Sequence, residues 1–205
     1  MARPRKFDMQ HVLEAACNLF WEKGYEATST RDLSEITSLT PSSIYAAFGD
    51  KRGLFLAALE HYLLRLKAKM ARLESVGEPG LAITLFFADT ISKTLSDPLL
   101  RGCLLVNSSL EFSLSDAGGR AAISRELADI ESFFRRCYAA AQKTDEVSRD
   151  ISPVQAAQQL LAVLLGIRVL ARARPDETLL CGAVEQTLGQ LGLPELSPHL
   201  QFHAD

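Results

Sequence analysis

Thr40-Pro41 opens a helical stretch that Gly49-Asp50 stops, and the stretch before it ends near Thr37. Threonine at the cap position followed by proline at the first helical position is a start signal. Glycine followed by aspartate is a stop. The segment Thr37 to Phe48, TSLTPSSIYAAF, therefore holds a turn of about three residues and a helix of about two turns. A helix that short is marginal alone and must dock on its neighbours. Ile44 and Phe48 share a face and supply the anchor.

The neighbours are helical too. From Asp8 to Gly24, Val12, Ala16, Leu19 and Phe20 fall on one face, and Gly24 stands where a C-terminal cap belongs. Ser29 and Asp32 have capping-box spacing, which starts a second helix that runs to about Thr37. Asp50 caps a long fourth helix whose stripe is Phe55, Ala58, Leu59, Tyr62 and Leu66. Punctuation at Pro79-Gly80, Pro98, Gly118-Gly119, Pro153 and Pro175 predicts five more, near 79–96, 99–113, 117–143, 153–173 and 176–191. No segment alternates as a strand does. The expected fold is all-α with about nine helices: a three-helix N-terminal domain (1–50), a long connecting helix (51–75) and a helical C-terminal domain (76–205).

Three short helices with a tight turn between the second and third make a helix-turn-helix. The second member of that pair enters the DNA major groove, which is about 12 Å wide. Large side chains at its N-terminus would hold it out. Thr40, Ser42 and Ser43 are small, can bond phosphates or base edges, and sit where the helix dipole favours an anion. The net charge of −3 excludes a protein that coats nucleic acid by charge alone. Residues 1–69 nevertheless balance at +2, against −5 for 70–205, so a polyanion is expected at the N-terminal third.

Cys17, Cys103, Cys137 and Cys181 lie far apart with no CxxC, which argues against disulfides or zinc and fits a reducing compartment. His11, His61, His199 and His203 show no ligand spacing, so no metal and no cofactor are expected. The basic start MARPRKFDMQ lacks an apolar region behind it, and the run Leu160–Ile167 stops at Arg168, short of a bilayer. The expectation is a soluble cytoplasmic protein with no membrane partner.

From His11 to Tyr62 the chain resembles the TetR family of bacterial transcriptional repressors. The matching residues are AACNLFWEKGYEATSTRDLSEI and SSIYAAFGDKRGLFLAAL, with Leu19-Phe20, Gly24-Tyr25, Thr28, Ile44-Tyr45, Phe48 and Lys51 in register. The resemblance implies that Thr28, Tyr45 and Lys51 contact phosphates. It also implies that Arg31, Thr40, Pro41, Ser42, Ser43 and Ala46 face base edges, with the arm Arg3, Arg5 and Lys6 reaching a neighbouring phosphate or the minor groove. Ser38 stands where the family usually has glycine, which predicts a left-handed non-glycine turn costing about 1 kcal/mol. Pro41-Ser42 replaces a common Lys-Gly and removes one phosphate contact.

A single unit of this kind reads few base pairs, so a two-fold dimer on a near-palindrome is expected. The segments 153–172 and 176–191, with LLAVLLGIRVLA apolar nearly all round, fit its interface, and the resemblance places a four-helix bundle there. Asn107 and Glu111 are candidate polar groups of an effector pocket, weighed against hydrogen bonds across helices, and Phe86, Phe87, Phe112, Phe133, Phe134 and Tyr138 candidate lining, weighed against plain core. Cys103, in RGCLLVNSSLE, is either a redox or electrophile sensor, with Arg101 lowering its thiol pKa, or a small buried residue within a helix. The function expected is a ligand-responsive repressor and not an enzyme, since no histidine stands between residues 62 and 198 as a base for Cys103. A helical adaptor that binds protein is the third reading.

Overall fold

The computed structural model describes residues 8–75, 77–111 and 117–196. Among them are nine α-helices and no strand: α1 (Met9–Lys23), α2 (Thr30–Thr37), α3 (Pro41–Phe48), α4 (Lys51–Glu74), α5 (Pro79–Leu95), α6 (Leu104–Glu111), α7 (Ala117–Lys143), α8 (Pro153–Ala173) and α9 (Glu177–Gln190). Most boundaries are set by caps. Asp8 accepts the Gln10 and His11 N–H groups at 3.0 and 3.3 Å, and Asp50 accepts that of Gly53 at 2.7 Å. Ser29 with Asp32, and Ser152 with Gln155, form complete capping boxes.

One boundary differs from the expectation. The sixth helix starts at Leu104, not near 99, because Leu100 and Gly102 both have positive φ (47° and 72°) and cannot belong to a right-handed helix. Asp97 receives the Leu99 and Arg101 N–H groups and holds that bend. Cys103 therefore precedes α6, and its carbonyl accepts the Asn107 N–H.

The chain divides into two compact units. The first comprises the described parts of Met1–Leu66 and Cys103–Arg120. Its core is Val12, Ala16, Phe20, Leu33, Ile44, Leu54, Phe55 and Leu105, with the Phe20 and Phe55 rings edge-on at 5.1 Å. Each of these side chains other than Ala16 contributes roughly 1.5–3 kcal/mol by leaving water. This unit includes α6, which packs against α1.

The second unit comprises Lys67–Gly102 and the described part of Ala121–Asp205. Phe86, Phe87, Phe133 and Phe134 are buried in one another, the Phe87 and Phe134 rings stacked at 5.6 Å. Tyr138 is buried, and its hydroxyl donates to the Leu191 carbonyl. Lys69 lies over the Phe86 ring at 4.3 Å and against Asp89, which Lys93 approaches at 3.1 Å. Burial pulls the Lys69 ammonium down to about 8 against the opposing pull of Asp89.

By length and composition α8 is apolar enough to cross a membrane, with a mean hydropathy of 1.5. The uninterrupted run 160–167 understated this, because α8 continues past Arg168, whose guanidinium donates to the Thr94 hydroxyl at 3.0 Å. A third of the most apolar stretch is buried (33%), and Val154 and Val169 are exposed on α8.

Candidate nucleic-acid interface

Within the first unit the α2–α3 turn fixes how α3 is presented. Ser38 adopts φ 56° and ψ 20°, the left-handed geometry expected of a turn that usually has glycine. Thr40 then caps α3 by accepting the Ser43 N–H at 3.2 Å, and its hydroxyl lies 2.9 Å from those of both Ser42 and Ser43. Three hydroxyls thus gather at the positive end of a two-turn helix. Ile44 is buried beneath them, while Pro41, Ser42, Tyr45 and Ala46 are exposed and Ser43 is half-buried. Tyr45 leaves 46% of its surface open, unusually much for an aromatic side chain, and α3 presents no charged side chain.

The flanking turn from Gly24 to Ser29 is cross-braced. The Lys51 ammonium donates to the carbonyls of Tyr25 and Thr28 at 2.9 and 3.0 Å and sits 4.4 Å above the Tyr25 ring. Two of its three protons are used this way. Arg31 is exposed on the first turn of α2. It does not pair with Asp32, whose carboxylate goes to Lys23 at 2.9 Å. Lys23 first, then the Ser29 hydroxyl and N–H, hold the Asp32 carboxyl well below the usual carboxylate range.

Thr28 departs from what the resemblance implied. Its side chain is buried, 1% exposed, and its hydroxyl donates to the Gly24 carbonyl at 2.6 Å. A hydroxyl spent inside the turn cannot also meet a phosphate, so Thr28 shapes the turn. The arm Arg3, Arg5 and Lys6 lies outside the described residues, as does Phe112.

The candidate effector residues fall into different units. Phe86 and Phe134 are fully buried ring against ring in the second unit. Cys103, Asn107 and Glu111 are on or beside α6 in the first. Arg101 gives its Nε–H to Asp97 at 3.0 Å. Cys103 is 8% exposed, and its Sγ lies 3.8 Å from the Tyr62 hydroxyl. Glu111, a candidate pocket group on the sequence, accepts the Tyr25 N–H across 86 positions of sequence. That contact was not legible in the sequence. No cluster of three or more metal-ligating side chains exists among the described residues.

Residues 12–58 match the family model described as bacterial regulatory proteins, tetR family, and residues 82–186 match that of the tetracyclin repressor-like C-terminal domain. The chain is 29% identical over 193 residues to the uncharacterized HTH-type transcriptional regulator YezE of Bacillus subtilis (strain 168), covering 93% of this chain and 100% of the relative. It is 29% identical over 172 residues to the HTH-type transcriptional repressor ComR of Escherichia coli (strain K12), covering 83% of this chain and 82% of that one. Among solved structures it superposes with a TM-score of 0.83 on a cysteine mutant of the regulator CifR complexed with 26 bp of double-strand operator DNA, at 30% identity over 93% of this chain and 100% of that one.

Proposed function

From the membership of this chain in the TetR family of bacterial transcriptional regulators, we propose that it is a homodimeric repressor that binds a near-palindromic operator and is released by a small molecule. Regulation of transcription through DNA is what the family does. The observation that supports the finer reading is α3, whose exposed residues are the small Pro41, Ser42, Ala46 and Ala47 and one aromatic, Tyr45, with no charged side chain among them. In the proposed complex Ser42, Ser43, Ala46 and Arg31 face base edges, and Tyr45 and Lys51 hold phosphates on either side.

Two copies read two half-sites about one helical turn apart. Their contact lies on the exposed faces of α8 and α9. A small molecule bound in the helical body of residues 79–145 shifts α4, which runs unbroken from Lys51 to Glu74, and so changes the spacing of the two α3 helices. It does so only by its difference in affinity between the two states. Such a protein works in the cytoplasm, where the DNA is.

The test is selection of bound sequences from random duplex DNA, with the wild type and with Tyr45→Ala. A near-palindrome enriched by the wild type and lost by the variant is the expected result, with log K falling linearly in log salt. No enrichment at modest salt would sink the reading and turn attention to a protein partner.

A second reading makes Cys103 the trigger, favoured by its position at the start of α6 beside the Tyr62 hydroxyl. Hydrogen peroxide, which takes the thiol to a sulfenic acid and is itself reduced to water, then releases operator from the wild type and not from Cys103→Ser.

A further inference from the structure

We propose that Glu111 is a positioning residue for operator binding: from the end of α6 its carboxylate fixes the turn that carries Tyr25 and Thr28 and against which Lys51 is set. This rests on the operator-binding role proposed above.

The turn is held from two sides. Lys51, at the start of α4, takes the carbonyls of Tyr25 and Thr28. Glu111 takes the Tyr25 N–H. One peptide unit on each side of Tyr25 is thereby oriented by a charge, one positive and one negative, and charge-assisted bonds are about twice as strong as neutral ones. Gly24 fits this arrangement for two reasons. Its φ is +85°, and a Cβ there would lie 2.6 Å from the Glu111 Oε1. A side chain at position 24 would push the carboxylate off its partner.

The contact joins elements far apart in sequence, yet all belong to the same compact unit. It also gives α6 a role that its eight-residue length alone does not suggest. One end of α6 starts from Cys103 and the other ends on the turn beside the α2 N-terminus. Any event that displaces α6 along its axis reaches the phosphate-facing turn directly, without passing through α4.

Charge alone predicts the opposite effect of removing Glu111. A carboxylate beside a phosphate-facing turn repels DNA, and its loss by that route tightens binding. The sign of the change therefore separates the two roles.

The experiment uses the full chain as wild type, Glu111→Ala and Glu111→Gln. It reads operator affinity on the selected duplex, thermal unfolding, and amide hydrogen exchange over residues 24–29 without DNA. The expected result for Glu111→Ala is operator binding weakened about tenfold, the cost of a part-buried donor that has lost its charged acceptor. Faster exchange at Tyr25 and an unfolding temperature close to the wild type accompany it. Glu111→Gln keeps an acceptor oxygen, so its affinity stays within about threefold and its Tyr25 amide stays protected. Binding by Glu111→Ala that equals or exceeds the wild type overturns the proposal, as does unchanged exchange at Tyr25. If Glu111→Ala does not fold, Glu111→Gln decides: kept affinity with a protected amide supports the role, and kept affinity with an unprotected amide overturns it. A wild type that binds no DNA sinks the operator reading itself, a result distinct from wild-type binding that survives the loss of Glu111.

Discussion

Ser38 shows how one residue can carry strain for the sake of a turn. At φ 56° a non-glycine residue sits about 1 kcal/mol above its right-handed alternatives. Ser38→Gly removes that cost but gains freedom in the unfolded chain, so the net gain is expected to be below about 1 kcal/mol. A thermal scan should show a rise of at most about 4 °C, with operator affinity unchanged; a fall would mean that the serine is not strained. A second prediction concerns Cys137, whose thiol burial pushes up to about 12, with Glu74 adding to the rise. Native protein treated with iodoacetamide at pH 8 should leave Cys137 unlabelled in peptide mass spectra, and denatured protein should not. Ser38 was legible through the family resemblance, because the matching residues on either side fixed the register and the family usually has glycine there. Thr28 was not, since a hydroxyl four residues after Gly24 can turn to the backbone as readily as to a phosphate, and only packing decides.

Caps and breakers made the helices legible, and the exception shows what they depend on. Pro41, Pro79 and Pro153 each stand at the first position of a helix, as the sequence signals required. Pro98 carried the same signal and failed, because Leu100 and Gly102 take left-handed geometry two and four residues later. Leucine in that region is rare enough that no local rule anticipates it. At the level of α3, capping and reading can be told apart. Thr40 accepts the Ser43 N–H, whereas Ser42 is exposed on the first turn. Thr40→Ala should cost about 1 kcal/mol of stability together with operator affinity, both measurable on one preparation. Ser42→Ala should leave the unfolding temperature alone and change only affinity or base preference. Equal unfolding behaviour of the two variants would mean that the cap contributes nothing to α3.

For the whole molecule, the outer faces of α8 and α9 pose the question that the protomer alone leaves open. Gly166 and Gly182 lie inside these helices, and a Cβ at either would meet nothing within 4 Å. In an isolated protomer that is a poor choice, since glycine costs about 0.5–1 kcal/mol against alanine in a helix interior. Exposed Val154 and Val169 on α8 are equally without purpose there. Both features make sense if helices of a second copy approach closely across this face, because small residues permit that approach and apolar ones then leave water. In the proposed dimer the apolar length of α8 has the same explanation, with a partner helix in place of lipid. Gly166→Leu tests the point, since it adds bulk where the protomer has room. The variant is expected to fold with a normal far-UV spectrum yet sediment as a monomer at concentrations where the wild type is a dimer. Its operator affinity should fall far more than that of Ser42→Ala, because each protomer then reads its half-site alone and loses the gain from linked binding. A variant that remains dimeric would move the interface off α8, and the exposed glycines would then need another cause.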